Sequence, residues 1–300
     1  MSPVAAFRSM LYAPGSEPRK MRKALDAGAD AVIFDLEDAV PPDQKANAAA
    51  EIASLLGGLA AEGSQHPPVF VRVNPLASGL QEVDLEAVVR PGLAGLKLPK
   101  TEDADELLAL DEACSRLESE RGLVRGSVVV IPGIESAVGL RALDSIARSP
   151  RVVCLSFGAV DFARDIGTEP SVDGTESLVA MSLISYGSAA AGLQRPMDSV
   201  WSDLADEEGL RRTARLARRL GFQGKAVIHP RQVAVVNEIF DVSDAEVGRA
   251  RAIVAEAERA ERGGRGALQV GGALVDAAHV RRALAIVELH DSRKARDAGA

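Results

Sequence analysis

Aromatic residues and cysteines are scarce in this chain of 300 residues. Phe, Trp and Tyr make up only 3% of it, so Ala, Val, Leu and Ile must fill the core within an apolar content of 47%. The two cysteines, which we expect on a surface helix (Cys114) and in a core strand (Cys154), lack CxxC spacing. We therefore expect neither a disulfide framework nor a structural zinc site, and the composition suits a reducing cytosol.

Long hydrophobic runs are also missing. No apolar stretch approaches the roughly 20 residues of a membrane span, and residues 1–8 lack the apolar segment of a signal peptide. The net charge of −8 argues against a general nucleic-acid-binding surface, although it leaves room for a local basic groove that binds a phosphorylated ligand. We therefore predict a cytoplasmic protein that acts on a small molecule, with neither nucleic acid nor membrane as a partner.

What the sequence does contain is a series of short apolar runs that end in polar residues. Continuous apolar runs of this length indicate strands buried on both faces, as in a parallel sheet. In a parallel barrel the carboxyl ends of the strands meet at one rim, where active sites are built. An enzyme is therefore the leading interpretation. The first six runs are residues 9–13, 31–35, 69–72, 96–100, 128–135 and 152–161.

Strand and helix patterns alternate through about 240 residues and give eight βα units. Among the predicted helices are one over residues 136–147 and a last one that begins with residues 230–240. This number predicts a (β/α)8 barrel, which we assign to residues 1–242 as a catalytic domain. An open doubly wound sheet is the structural alternative, but Pro14-Gly15-Ser16 is not the GxGxxG fingerprint of such folds. Residues 243–300 predict a charged helix, a small hairpin around Gly271-Gly272 and a further helix from Asp276 to about Leu289. We expect the polar end, residues 291–300, to be frayed. This C-terminal extension is too short for an independent domain, and we interpret it as a lid or an inter-subunit arm.

Glu135 and Asp161 are the sharpest pair of candidate site residues. Each follows a different predicted strand, so barrel closure would bring both to one rim. Carboxylate oxygens with waters suit Mg²⁺, and Mn²⁺ fits the same ligands. The alternative is that the carboxylates cap helices, because Glu135 lies at the entry of a predicted helix where negative charge is favoured anyway.

Three carboxylates and an arginine follow the second and third strands. Asp35, Glu37 and Asp38 would repel one another unless a cation or an arginine neutralises them. They could hold metal-bound waters, or Asp38, and less well Glu37, could cap the helix that starts near Asp43. Arg72 could hold a carboxylate and stabilise an enolate. It could also form a structural ion pair with Asp35 or Glu37, and both can be true together.

Other charged residues near strand ends give weaker signals. Lys97 and Lys100 flank the end of the fourth strand, where one of them can face the rim. His229 precedes Pro230 and could be taken for a general base. No partner for it is evident in the sequence, so we interpret it as structural.

Several motifs together resemble the citrate lyase β-subunit-like family, which includes malyl-CoA and citramalyl-CoA lyases within the wider HpcH/HpaI aldolase group. The match runs from about Arg8 to Leu289. The resemblance implies a (β/α)8 barrel with a C-terminal extension, assembled as a homotrimer or a trimer-based oligomer. The motifs are residues 8–15, 31–40, 71–74, 98–100, 133–136, 157–161 and 221–230.

The same resemblance implies a role for each matching residue of the barrel. Glu135 and Asp161 would ligate Mg²⁺, Glu37 and Asp38 would orient its waters, and Arg72 would bind the reacting oxygens. One departure concerns Ala159-Val160-Asp161, where many relatives have Gly-Glu-Asp, so that a neighbouring carboxylate is lost.

Further roles are implied outside the strand ends. Lys23, with Arg19 nearby, matches a basic stretch of the first helix that meets coenzyme A phosphates. Asp276 matches a tail aspartate that handles the methyl proton of acetyl-CoA in a neighbouring subunit's site, whereas its position alone indicates a helix N-cap. The segment 273–278 differs from the commoner Met-Ile-Asp-x-Pro pattern.

We therefore predict a Mg²⁺-dependent carbon–carbon lyase that cleaves a 3-hydroxy-3-carboxyacyl-CoA, of malyl-CoA or citramalyl-CoA type, to acetyl-CoA and a 2-oxo acid by retro-aldol chemistry. One alternative is a citrate lyase β subunit that acts on a citryl thioester of acyl-carrier protein. Another is a non-catalytic, metal-binding regulatory barrel. Val160 supports this last alternative, and the presence of Glu135, Asp161, Arg72 and Asp276 argues against it.

Overall fold

Eight parallel strands close into a barrel in the N-terminal part of the chain, in the order of the sequence. The structure, a computed structural model, describes residues 6–63, 66–171, 173–262, 268–270 and 273–299. The (β/α)8 fold predicted from the sequence is confirmed. The strands are β1 (Ser9–Pro14), β2 (Ala31–Asp35), β3 (Val69–Arg72), β4 (Leu93–Leu98), β5 (Val129–Ile134), β6 (Ser156–Phe157), β7 (Met197–Asp198) and β8 (Gly224–Val227).

Helices connect successive strands, as the alternating pattern predicts. Where one helix was expected over residues 136–147, the structure has two short ones, α5 and α6. It also has α7, which begins at Ala159 within the run 152–161 that was expected to be a strand. The helices of this unit are α1 (Pro18–Leu25), α2 (Lys45–Glu62), α3 (Gln81–Val88), α4 (Ala104–Glu120), α5 (Ala137–Arg141), α6 (Leu143–Ala147), α7 (Ala159–Asp165), α8 (Leu178–Ala190), α9 (Glu207–Arg219) and α10 (Pro230–Phe240).

Two apolar layers hold the barrel. The larger lies between the strands and the helices, where the outward-facing side chains of each strand pack. The smaller lies inside the barrel, where Phe7 and Phe70 meet edge to face with ring centroids 5.7 Å apart. Because alternate residues of a strand point to opposite faces, continuous apolar runs supply both layers. The inner layer contains Phe7, Met10, Ala31, Ile33, Phe70, Val129, Ile131, Cys154 and Met197.

Both cysteines are free and buried. Cys114 lies on α4, a helix with one exposed face, as expected, and its side chain is on the core-facing side of that helix and is 0% exposed. Burial raises the pKa of Cys114 to about 12 and that of Cys154 to about 12. Thiols with such a pKa are poor nucleophiles at neutral pH.

The chain divides into two compact units, Met1–Phe240 and Asp241–Ala300. In the second unit β9 and β10 pair in antiparallel fashion, and the turn expected at 271–272 lies outside the described residues. The last helix continues to Gly299, where the sequence predicted a frayed end. Within the described ranges, no helix combines the length and apolar character that a bilayer crossing requires. The elements are α11 (Asp244–Arg262), β9 (Leu268–Val270), β10 (Ala273–Val275) and α12 (Ala277–Gly299).

Candidate active site

A cavity of about 390 Å³ lies at the carboxyl ends of the barrel strands. Its floor is apolar and comes from the inner layer, with Met10, Ile33 and Ile131 among its lining residues. Its upper wall is polar because several strands end in charged side chains at this level. The charged residues that line it are Asp35, Asp38, Arg72, Lys97, Lys100, Glu135, Asp161, Arg164 and Asp198.

Glu135 follows directly on β5 and lines the cavity. Its side chain is 9% exposed, and the nearest cation is the Lys97 ammonium, 3.9 Å from Nζ to Oε1. No described residue donates a hydrogen bond to this carboxylate. The expected helix-capping role falls to Ser136, whose hydroxyl accepts a hydrogen bond from the Gly139 amide at 3.1 Å. The Glu135 carboxylate is therefore available to a ligand.

Two glycines make room for the Glu135 side chain. A Cβ atom added to Gly158 would lie 2.6 Å from Cγ of Glu135, and one added to Gly133 would lie 2.7 Å from Nζ of Lys97. Both distances are shorter than real Cβ contacts allow. The space that Glu135 occupies thus depends on the absence of side chains at these two positions.

Asp161 lines the same cavity as Glu135. It lies in the first turn of α7 and not at a strand end, because β6 stops at Phe157. Its carboxylate pairs with Arg164 at 2.9 Å, and the two side chains are 27% and 74% exposed. An ion pair so exposed contributes little energy and is easily exchanged for another partner. The structure therefore brings both predicted metal ligands to one cavity.

The donor set fits a hard divalent cation. Mg²⁺ prefers carboxylate oxygens and keeps several waters, so two protein carboxylates suffice. The described residues contain no cluster of three or more His, Cys, Asp or Glu side chains that could hold a metal ion. A cation bound here would therefore use Glu135, Asp161 and oxygens from water or from a substrate.

Arg72 is held by three carboxylates. Its Nε and Nη2 atoms each donate to Asp35 at 2.6 Å, and Nη1 lies 2.7 Å from Glu37 and 3.4 Å from Asp38. The guanidinium also lies over the Tyr12 ring, 5.0 Å from its centroid. The structural ion pair that the sequence analysis left open as an alternative is thus present. To bind a substrate oxygen, Arg72 must share the N–H groups that already contact these carboxylates.

The loop after β2 is organised around Asp35. Its carboxylate accepts hydrogen bonds from the backbone amides of Glu37 at 3.0 Å and Ala39 at 2.9 Å. Glu37 and Asp38 do not cap α2, because Gln44 occupies the N-cap position of that helix. Asp38 lines the cavity, whereas Glu37 is turned toward Arg72 and Lys100.

The two predicted water-orienting carboxylates differ in acidity. Burial raises the pKa of Glu37 against the opposing charges of Arg72 and Lys100. Burial also acts to raise the pKa of Asp38, but Arg72, a hydrogen bond with Glu37 and Lys100 outweigh it, so that the pKa is lowered. Asp35, Glu37 and Asp38 carry three negative charges when ionised. Arg72 and Lys100 carry two positive ones, so the cluster of these five residues has one net negative charge, which favours a cation nearby.

Lys97 and Lys100 both face the site. The Lys100 ammonium donates to Glu37 and lies 3.6 Å from Asp38. Its backbone has a φ of 50°, a conformation that a side-chain-bearing residue rarely adopts. Lys97 is 7% exposed, and burial lowers its pKa while the charge of Glu135 acts in the opposite direction.

The structure also reveals a buried ion pair that was not predicted from the sequence. Asp198 at the end of β7 lines the cavity and accepts a hydrogen bond at 2.6 Å from Lys225 on β8. The two residues lie opposite each other in the strand register, and their side chains are 6% and 3% exposed. Opposite charges at matching positions of two predicted strands were the signal that could have found them.

Three sequence candidates of the first unit, Arg19, Lys23 and His229, do not belong to the cavity lining. Arg19 and Lys23 are exposed on α1. Asp276 belongs to the second unit, where its carboxylate accepts hydrogen bonds from the amides of Ala278 and His279, as a helix N-cap does. Hydrogen bonds from His279 lower the pKa of Asp276. His229 accepts a hydrogen bond from the Arg231 amide, which agrees with a structural role.

Comparisons with known proteins agree on one family. Residues 8–230 match the model of the HpcH/HpaI aldolase/citrate lyase family. The chain is 36% identical to the citrate lyase subunit beta of Haemophilus influenzae, over 94% of this chain and 96% of that protein. It is 34% identical to the L-malyl-CoA/beta-methylmalyl-CoA lyase of Cereibacter sphaeroides, over 95% of each.

The chain is also similar to a solved structure in fold and in sequence. The CitE protein of Mycobacterium tuberculosis, in complex with magnesium, acetoacetate and coenzyme A, superposes with a TM-score of 0.75 at 28% identity. The similarity covers 96% of this chain and 98% of that one. Magnesium and coenzyme A are thus bound by a protein of similar fold and sequence.

Proposed function

The chain belongs to the HpcH/HpaI aldolase/citrate lyase family, and from that premise we propose that it is a Mg²⁺-dependent carbon–carbon lyase. Its substrate is a 3-hydroxy-3-carboxyacyl-CoA of malyl-CoA or citramalyl-CoA type. The observation that carries the proposal is the Glu135 carboxylate, which lines the same cavity as Asp161 and accepts no hydrogen bond from the described residues. A buried carboxylate without a donor is stabilised by a cation.

Glu135 and Asp161 are the residues that would hold Mg²⁺. When bound, the ion would supply Lewis acidity that stabilises negative charge on the substrate's oxygens. Asp38 lines the cavity and belongs to the net negative cluster, which suits a carboxylate that orients water near a cation. Glu37 acts behind it by holding Arg72 and Lys100 in place.

Cleavage breaks the bond between the carbinol carbon and the carbon next to the thioester. The hydroxyl group loses its proton and becomes the carbonyl of a 2-oxo acid, while the bonding electrons pass to the thioester enolate. A proton then adds to the enolate carbon and gives acetyl-CoA. One proton leaves and one is taken up, so the reaction needs no redox partner. Arg72 contributes positive charge at the cavity wall, where it can stabilise the enolate oxygen.

We assign the proton transfer at carbon to Asp276. Its lowered pKa favours the carboxylate form, which suits removal of a proton from acetyl-CoA in the condensation direction. By resemblance this residue serves the site of a neighbouring subunit in a trimer. Arg19 and Lys23, both exposed on α1, are the residues we assign to the phosphates of coenzyme A.

A citrate lyase β subunit is the second candidate. The 36% identity to the Haemophilus influenzae citrate lyase subunit beta supports it as well as the lyase of CoA esters. This candidate requires an acyl-carrier protein and partner subunits, whereas the first requires neither.

The test is to incubate the purified protein and Mg²⁺ with malyl-CoA, citramalyl-CoA, citryl-CoA and citryl-acyl-carrier protein, and to follow 2-oxo acid release. We expect Mg²⁺-dependent release from malyl-CoA or citramalyl-CoA, which Glu135→Gln abolishes. Release from the acyl-carrier thioester alone would support the citrate lyase candidate. No release from any thioester, by a protein shown to bind Mg²⁺, would contradict the proposal and support a regulatory barrel.

A further inference from the structure

Lys97 is a buried cation that lacks a hydrogen-bond partner among the described residues. It is 7% exposed, and its side chain lines the cavity. Its nearest opposite charge, Oε1 of Glu135, lies 3.9 Å from Nζ, which is too far for a hydrogen bond. The ammonium group has three N–H donors. Because the Lys97 side chain lines the cavity, these donors are available to an acceptor that enters there, and pairing with it would offset the cost of placing the charge in a mostly apolar wall.

The other cations that line the cavity are already engaged. Arg72 has a carboxylate at each of its nitrogens. Lys100 is paired with Glu37 and lies near Asp38. Arg164 is 74% exposed and pairs with Asp161. Of the cations in the described cavity lining, Lys97 is therefore the one that is buried and donates no hydrogen bond.

A structural role for Lys97 would require a closer pairing. The same barrel shows what such a pairing looks like at Lys225, whose Nζ atom lies 2.6 Å from Asp198 with both side chains buried. Lys97 has no comparable contact. Glu135, its neighbour, is also the residue that we assign to the divalent cation, and a bound cation would neutralise the charge that Lys97 now faces.

The position of Lys97 defines the chemistry of its ligand. In the strand register it lies between Arg72 on β3 and Ile131 on β5, on the inner wall of the barrel. The lining beside Lys97 and below it is apolar, with Ile131 at the same level and Ile33 deeper in the barrel. A neutral ligand would leave the charge unpaired there, whereas a carboxylate would pair with it and accept its hydrogen bonds.

We infer that Lys97 binds the carboxylate of the 2-oxo acid half of the substrate, an assignment that rests on the proposed lyase function. Lys97 is then a residue that selects for acids over neutral carbonyl compounds. Because it adjoins Glu135, the bound carboxylate would lie next to the proposed cation site.

The test measures binding without turnover. Lys97→Met removes the charge with little change in volume, and Lys97→Gln keeps a donor without the charge. Lys20→Met on the exposed face of α1 is the matched control, since Lys20 pairs with Glu17 at the surface. Calorimetry with Mg²⁺ present would give the affinity for pyruvate, glyoxylate and the uncharged methyl pyruvate. Titration with Mg²⁺ alone would give the metal affinity.

We expect Lys97→Met and Lys97→Gln to weaken pyruvate and glyoxylate binding about 10- to 100-fold, as loss of a buried charge-assisted hydrogen bond does. Methyl pyruvate should bind equally to the wild type and the Lys97 variants, and Mg²⁺ binding should be retained. Lys20→Met should match the wild type. Pyruvate binding within about twofold of wild type would overturn the inference. So would a loss of Mg²⁺ affinity that accounts for the weaker acid binding, because Lys97 would then only position Glu135.

The binding measurements on the Lys97 variants and the lyase assay can fail independently of each other. If no thioester is cleaved but the wild type binds 2-oxo acids through Lys97, the lyase proposal fails, and the part of the inference that stands is that Lys97 binds the carboxylate of a 2-oxo acid. If thioesters are cleaved while Lys97→Met binds the acids normally, the lyase proposal stands and this inference fails. A wild-type protein that binds none of the acids in the presence of Mg²⁺ also overturns it.

Discussion

Arg72 shows how one residue can serve both stability and chemistry. Its partner Asp35 has a side chain that is 1% exposed, so removal of the guanidinium would strand a buried carboxylate. We expect Arg72→Ala to lower the free energy of unfolding by about 3–5 kcal/mol, measured by urea denaturation. A loss of activity in this variant therefore does not by itself show that Arg72 contacts the substrate.

The matched control is Arg116→Ala. Arg116 also pairs with two carboxylates, Glu86 and Glu120, but all three side chains are more than two-fifths exposed. Solvent screens such pairs, so this variant should unfold at nearly the wild-type urea concentration. Equal effects of the two substitutions would contradict the view that burial gives the Arg72 cluster its energy.

Single residues of the site were predictable to different degrees. Glu135 and Asp161 could be found because each polar residue follows an apolar run, and barrel closure collects such residues at one rim. The full engagement of Arg72 could not be found, since it depends on side-chain distances among Asp35, Glu37 and Asp38. Nor could the sequence show that Lys97 is buried without a hydrogen-bond partner among the described residues.

At the scale of elements, one buried ion pair ties α4 to the start of β5. Glu118 near the end of α4 is 0% exposed and accepts hydrogen bonds from the Val128 amide at 2.9 Å and from Arg151. Burial acts to raise the pKa of Glu118, but the hydrogen bonds from Arg151 and the backbone outweigh it, so that the pKa is lowered. The ionised form thus stabilises the fold.

The lowered pKa of Glu118 makes the stability of the fold depend on pH. A carboxylate with a lowered pKa contributes its full stabilisation above its unfolded-state pKa of about 4.3, and loses it as the pH falls through the folded-state value. We expect Glu118→Gln to lose about 1.5–3 kcal/mol of unfolding free energy at pH 7, because its bonds to Arg151 are no longer charge-assisted. The difference in unfolding free energy between the wild type and the variant should become smaller below about pH 4. Urea denaturation across this range would detect it, and a gap that does not change with pH would contradict the assignment.

The ends of β5 and β6 supply a second prediction. A methyl group at Gly158 would meet Cγ of Glu135 at 2.6 Å, and the flexible glutamate would move before the strands do. We expect Gly158→Ala to weaken Mg²⁺ binding about 10- to 100-fold, as displacement of a metal ligand by its surroundings does. Calorimetric titration with Mg²⁺ measures this effect.

The control for this substitution is Gly57→Ala in α2. A Cβ atom at Gly57 would meet no atom within 4 Å, so this change should leave Mg²⁺ affinity intact and stabilise the helix by about 0.5–1 kcal/mol. Wild-type Mg²⁺ affinity in Gly158→Ala would show that the space around Glu135 does not set its position.

Element boundaries were predicted least well where strands are short. The run 152–161 is mostly apolar as far as Val160, but only Ser156–Phe157 pairs as β6 and α7 begins at Ala159. Apolar content cannot separate a buried strand from a buried helix over so few residues. In contrast, α10 was predicted over Pro230–Phe240 with the observed bounds, because a proline marks its first turn.

At the scale of the whole molecule, the alternation of eight apolar runs with helical segments was sufficient to predict the closed barrel. The role of the C-terminal unit could not be derived in this way. The position of Asp276 indicates an N-cap, which is how its carboxylate is bonded. Its proposed chemistry comes from resemblance to relatives and depends on an arrangement of subunits that no single-chain pattern encodes.

A mixing experiment tests that arrangement. Glu135→Gln removes a proposed metal ligand, and Asp276→Asn removes a charge while keeping a good N-cap residue. Each variant alone should be inactive. If Asp276 serves a neighbouring subunit, refolding an equal mixture should restore about a quarter of wild-type activity, since random assembly of a cyclic oligomer pairs the two intact residues at that frequency. No regain of activity would contradict the inter-subunit role.

The central claim is that Glu135 and Asp161 form one divalent-cation site in the barrel, open to a chelating acid. The most direct measurement is the anomalous scattering of Mn²⁺ in crystals soaked with Mn²⁺ and pyruvate. We predict a single strong peak in the cavity, with one oxygen of each carboxylate at about 2.0–2.2 Å from the ion. A peak elsewhere on the protein, or an ion that neither carboxylate touches, would contradict the claim.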